Sequence, residues 1–203
     1  MILVCALICA GQLYGMESQP SYETLLPELK QEIINTALAT TKNIDESISM
    51  VKQLSIVHNV RYDNLKDFTK LVHLLADKFD KSTADIASKF IASKFNTPIA
   101  HTYLNLGKNL LIFAGDRRPF RRIKMIELID QGADVNFSTG IVRPLKTALK
   151  SYNFDVVKIL LNFGAKITMD DLDEAKSITS SHVDKARETS QLIEETWKKQ
   201  QRK

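Results

Sequence analysis

From residue 22 to residue 104, apolar side chains recur three and four positions apart with polar residues between them. Leu26, Leu29, Ile33 and Ile34 mark one face. Ile44, Ile48, Val51 and Leu54 mark the next, and Leu65, Phe68, Leu71, Val72 and Leu75 a third. That spacing puts each set on one side of a helix. Local signals mark the helix starts. Pro27 suits a first turn, and Asn43 with Glu46 three residues on has the form of a cap and its partner. Ser82 with Asp85 offers another cap, and Thr97 followed by Pro98 an N-cap and first-turn pair leading to Tyr103 and Leu104. No segment sustains period-two alternation. The expected fold is therefore all-α, with no sheet.

Two segments interrupt the pattern. Ile86-Ala-Ser-Lys-Phe90 is repeated at once as Ile91-Ala-Ser-Lys-Phe95. Five residues advance a helix by about 500°, so the two copies cannot face the same core. The second copy is expected to lengthen a surface helix or loop, the alternative being an exposed Phe/Ile patch for a partner. Residues 1–15 carry no charge. Their apolar run is too short for a bilayer, which needs about 20 residues, and matches the core of a secretory signal with Ala10 and Gly15 as cleavage positions. The alternative is translation from Met16. Export or the cell envelope follows from the first reading, the cytoplasm from the second.

The C-terminal half repeats itself. Met125 to Asn136 and Val157 to Thr168 align with Gly132 and Gly164 32 residues apart. Met125 pairs with Val157, Leu128 with Leu160, Ile129 with Leu161 and Val135 with Ile167. Each unit reads as an amphipathic helix ended by a Gly at positive φ. Arg143-Pro-Leu-Lys-Thr-Ala148, Asp155 to Leu161 and Gly164-Ala165 resemble the ankyrin repeat, whose first helix opens Thr-Pro-Leu-His-x-Ala. The resemblance implies a short ankyrin-repeat array over 105–200, and the helices of 22–104, within a helical region of 16–104, are expected to pack on its first repeat as a cap. Asn109 to Ala114 and Ile123 to Gln131 stand as the two helices of a preceding unit, with two extra residues between them. Leu172, Ala175, Leu192, Ile193 and Trp197 mark a capping unit whose end, Lys198 to Lys203, is polar. Arg143 replaces the family's capping Thr, Lys146 its His and Tyr152 its Gly, which implies a weaker hydrogen-bond ladder between units. Leu25-Leu-Pro-Glu-Leu29 and Gln31 to Ile34, within 22–36, resemble the opening of an F-box. That implies docking to a ubiquitin-ligase adaptor through Pro27, Leu29 and Ile33. A signal-like start, an F-box-like helix and ankyrin units together look like proteins of intracellular bacteria that address host partners.

Composition adds little until charge is located. The 203 residues are 44% hydrophobic and 26% charged, an ordinary globular balance. Cys5 and Cys9 are the only cysteines, so the body of the chain has no thiol nucleophile and no cysteine zinc site. His58, His73, His101 and His182 show no metal-ligand spacing, and no Gly-rich phosphate loop is present. Asp170-Asp171 and Glu194-Glu195 read as helix-start charges and a solvated face. No catalytic residue, cofactor or metal is expected, and no small-molecule substrate.

The net charge of +4 equals that of Asp116-Arg-Arg-Pro-Phe-Arg-Arg-Ile-Lys124, which sets five basic residues against one acid. This segment is expected to be a loop between two helices. It is either solvated or a docking site, through Arg117, Arg118, Arg121 and Arg122, for an acidic partner or for phosphates of a membrane or nucleic acid. Only Phe120 interleaves the basic residues, so base stacking has little support and no strong nucleic-acid signal. The expected function is non-enzymatic protein–protein interaction by a monomer. By the ankyrin resemblance, the contacts come from hairpin tips and first helices: Asn136 to Arg143, including Ser138, with Lys146, Lys150, Ser151 and Asn153. An F-box-type adaptor linking a ubiquitin ligase to a target, and a binder of phosphate-bearing surfaces, are the alternatives.

Overall fold

The computed structural model describes residues 34–58, 62, 64–178 and 183–202. The signal-like residues 1–15, the F-box-like segment up to residue 33 and its proposed docking residues Pro27, Leu29 and Ile33 lie outside them, as does His182. The described residues form helices joined by turns and loops, with a single isolated bridge between Thr139 and Val142. After a helical stretch at 34–39 come α1 (Ile44–His58), α2 (Leu65–Phe79), α3 (Thr83–Ala92) and α4 (Thr97–Gly115). They are followed by α5 (Pro119–Asp130), α6 (Pro144–Lys150), α7 (Phe154–Asn162), α8 (Met169–Ser177) and α9 (Val183–Gln200).

Helix starts follow from local chemistry. The Glu46 amide donates to Asn43 Oδ1 at 2.8 Å, and the Glu46 carboxylate accepts from the Lys42 amide at 2.8 Å. Ser82 Oγ accepts from the Asp85 amide at 3.1 Å and donates to the Asp85 carboxylate at 2.7 Å. Each arrangement satisfies amides that the first turn leaves without partners. At α4 the cap sits one residue earlier than expected. Asn96, at φ 51°, precedes the helix, and Thr97 is its first residue.

Of the two forms expected for the duplicated pentapeptide, a longer surface helix or a loop, the second copy takes the loop. Ile86, Ala87 and Phe90 of the first copy are fully buried. The second copy runs out of α3: Ser93 is its C-cap, and Lys94 and Asn96 take φ of 56° and 51°. This reversal brings the Phe95 amide onto the Phe90 carbonyl at 3.2 Å, with their rings 6.2 Å apart. The first copy thus lies within α3 with three residues in the core, and the second ends that helix and turns.

Two hydrophobic cores meet on α4. In the first, Phe68 packs edge-on to Phe90 and Tyr103 at 5.1 and 5.8 Å, and Tyr103 to Phe137 at 5.6 Å. The second gathers Leu110, Met125, Leu145, Leu149, Leu160 and Ile193, all buried. Ala100, Tyr103 and Leu104 face the first core; Leu110 and Ala114 face the second. The boundary expected between residues 104 and 105 therefore falls within one continuous helix, and the helix expected from Asn109 begins at Thr97. Beyond it, α4, α6 and α8 pack side by side, α7 packs on α9, and each first helix packs on its second.

Candidate functional site

The helix pairs expose two edges, one of long loops and one of short turns. On the loop edge, Gly132 and Gly164 end their helices at φ 94° and 86°. Beside them the Ala133 amide reaches Leu128 O at 2.9 Å and the Ala165 amide Leu160 O at 3.0 Å. This is the positive-φ helix ending that the repeated Gly predicts. The 133–143 loop then closes on itself through Thr139 and Val142, with Gly140 at φ 64° and N–O distances of 3.0 and 3.4 Å.

Most of the polar residues assigned to partner contact are engaged within the chain here. Asn136 Oδ1 accepts from the Lys166 amide at 2.7 Å, joining this loop to the next. Ser138 is held against α3: its amide donates to Thr83 Oγ1 at 2.8 Å, its hydroxyl accepts from the Thr83 amide at 3.0 Å, and its carbonyl accepts from the Ala84 amide at 3.0 Å. Arg143 donates to Thr168 Oγ1 at 2.6 Å and to the fully buried Asp171 carboxylate at 2.8 Å. Lys146 reaches Asp170 at 3.2 Å. Arg143 and Lys146 thus tie the start of α6 to the start of α8, because both side chains are long enough to reach acids 28 and 24 residues on. Asp171 is accordingly a buried partner, and it closes a capping box with Thr168. Gln200, in the stretch expected to be a polar end, bonds the Ile167 amide at 3.0 Å and the Ala165 carbonyl at 2.9 Å. Exposed apolar side chains also stand on this edge: Ile141 is 75% and Val142 44% exposed at the tip, and Met169 58%.

The first core reaches this loop through charge. Asp134 accepts from Tyr103 Oη at 2.6 Å and from the Asn136 amide at 2.9 Å, and pairs with His73 Nε2 at 2.8 Å. Burial pushes the Asp134 carboxyl up, but the bond and charge of His73 and the bonds from Tyr103 and Asn136 outweigh it and hold the group below its ordinary value. Burial, followed by the charge of Asp134, raises the Tyr103 phenol well above 10.

On the turn edge, the basic segment is not a loop. Only residues 116–118 link α4 to α5, the same length as the 151–153 link between α6 and α7. Pro119 opens α5 and carries Phe120 to Lys124 into its first turns. The extra residues lie in α5, which has 12 residues against 9 for α7.

Much of the charge is also spent. Arg118 donates to both Asp116 oxygens at 2.9 and 3.0 Å, and Arg121 approaches the same carboxylate at 3.2 Å. Those bonds from Arg118 hold the Asp116 carboxyl well below the usual range. Arg122 pairs with Asp155 at 2.6 Å, and Lys124 with Glu127 at 2.7 Å. Arg117 Nε donates to the Ser151 carbonyl, and its guanidinium lies 5.5 Å from the Tyr152 ring. Asn153 is buried and donates to the Asp116 carbonyl at 3.0 Å and to that of Ala114 at 3.4 Å. Lys150 is exposed.

Among the described residues no group of His, Cys, Asp and Glu is placed to hold a metal ion. No helix there is long and apolar enough to cross a membrane. Comparison with protein-family models, curated proteins and solved structures gave no match.

Proposed function

We propose that the chain is a non-enzymatic protein-interaction module, with residues 105–200 an ankyrin-type array and the 139–142 tip its contact with a protein partner. One observation carries this reading. The tip holds Ile141 and Val142 in solvent on a loop that Asn136, Ser138 and Arg143 tie down. Met169, next to Thr168 on the same edge, is also exposed. Exposed apolar side chains on a rigid frame lose little order on binding, so they suit recognition. The helix pairs, the Gly endings and the Arg143 and Lys146 bridges support the ankyrin reading. An exported protein and a host partner accord with the uncharged residues 1–15.

Affinity capture with the full chain, compared with an Ile141→Lys, Val142→Lys chain, tests this. A partner retained by the first and lost by the second is expected. The same partners on both chains would remove the tip from recognition.

A further inference from the structure

The turn edge carries a second candidate site, independent of the loop-edge reading. Between the 116–118 and 151–153 turns and the start of α9 lies a cavity of about 190 Å³ lined by Arg117, Arg122, Tyr152, Asn153, Phe154, Asp155 and Lys185. We propose that it binds the dianionic head of a phosphate monoester, free or carried on a phosphorylated side chain.

Charge supports this first. Arg117, Arg122 and Lys185 face the single acid Asp155, which leaves two positive charges in one small concavity. A phosphate monoester at neutral pH carries about −1.5 to −2, which matches that excess. Hydrogen bonding points the same way. Arg117 spends Nε on the Ser151 carbonyl and keeps its two terminal nitrogens for a ligand. Arg122 is held in place by Asp155 at 2.6 Å. Planar guanidinium groups bind phosphate oxygens two at a time, which suits such a wall better than a point charge does.

The backbone is also held in a costly state here. Tyr152 sits at φ 52°, in the left-handed region where a bulky residue is rare. Its ring lies 5.5 Å from the Arg117 guanidinium and forms one wall of the cavity. The volume fits a single headgroup and is well below that of a drug-sized pocket. The concavity separates this site from a flat basic surface, because three chain segments converge on one anion.

The test is a titration of the ¹⁵N-labelled full chain with phenyl phosphate and with O-phosphoserine, at about pH 7.5 where both are dianions. Saturable shifts are expected at the amides of Tyr152, Phe154, Asp155 and Lys185. Arg117→Ala and Lys185→Ala should each weaken binding by roughly tenfold to a hundredfold, the range for a lost bond to a charged group. Both residues are exposed, so the fold survives their removal. Lys124→Ala, outside the cavity, should change nothing. Phenyl sulfate, with the same shape and one charge fewer, should bind at least tenfold more weakly.

Three results would overturn the assignment. One is shifts spread over all the basic residues and equal for sulfate and phosphate. Another is affinity unchanged in both cavity variants. The third is binding to phosphatidylcholine vesicles containing phosphatidic acid with none to either soluble monoester, which would make the edge a membrane-facing surface.

Discussion

Gly107 lies in the middle of α4, where replacement by Ala in a solvated helix would stabilise by about 1 kcal/mol. The packing reverses that sign. A Cβ at Gly107 would stand 2.3, 2.4 and 2.6 Å from ring carbons of Phe137, against the 3.5–4.0 Å of ordinary carbon contact. The ring must retreat by more than an ångström and has little room to do so. Phe137 is fully buried, Tyr103 packs against it at 5.6 Å, and the backbone beside it is pinned by the three bonds between Ser138 and the start of α3. Overpacking of this kind costs about 1–3 kcal/mol. Complete loss of the Phe137 contact, as in Phe137→Ala, costs about 3–5 kcal/mol and sets the ceiling. Gly107→Ala should therefore destabilise by about 1–3 kcal/mol. Urea unfolding followed by circular dichroism reads this as a midpoint about 1 M lower at unchanged slope. Adding Phe137→Leu to Gly107→Ala should cost less than the two single changes together, since the smaller side chain relieves the clash. A Gly107→Ala chain as stable as the parent, or more stable, would refute this packing of the 133–143 loop on α4.

Arg143→Ala leaves the buried Asp171 carboxylate without its cation and should cost about 2–3 kcal/mol in the same assay, whereas Lys150→Ala, at an exposed position, should cost under 0.5 kcal/mol. Asp134, held below its ordinary pKa, favours the fold above about pH 4, and that contribution is lost as pH falls through the folded-state value. Thermal melts of the parent should thus fall between about pH 5 and pH 2, while Asp134→Asn starts less stable and falls less steeply. Tyr103 works in the opposite direction. Its raised value means that stability is present below about pH 10 and lost as pH rises beyond it, and Tyr103→Phe should flatten that alkaline limb.

What the sequence alone discloses here is local. Asn43 with Glu46, Ser82 with Asp85, and the two helix-ending glycines act over three or four residues, and the chain folds at those points as their chemistry dictates. The all-helical class follows from the apolar spacing in the same way. Readings that needed a distant partner went differently. The Asp116–Lys124 segment reads as a charged loop because its arginines look unpaired. Their acids are Asp116, close by in sequence, and Asp155, 33 residues away, and Pro119 is itself a helix-start signal. Asn153 reads as a surface polar residue, yet it satisfies carbonyls at the end of α4 and the turn that follows, 39 and 37 residues earlier. Thr168 and Asp171 do have the three-residue spacing of a capping box, a signal in the sequence that points to the buried role of Asp171. Gly107 and Phe137, 30 positions apart, carry no pattern that links them. The turn-edge cavity brings together three chain segments that only the fold makes neighbours.

The central claim, that the 139–142 tip meets a protein partner, is tested most directly by placing a photo-crosslinking side chain at Ile141 in the full chain and irradiating it among candidate partners. The control is the same side chain at Ile56, which is equally exposed, at 74%, on α1. A discrete covalent adduct from position 141 and none from position 56 is the predicted result. Adducts from both positions alike, or from position 56 only, would contradict it.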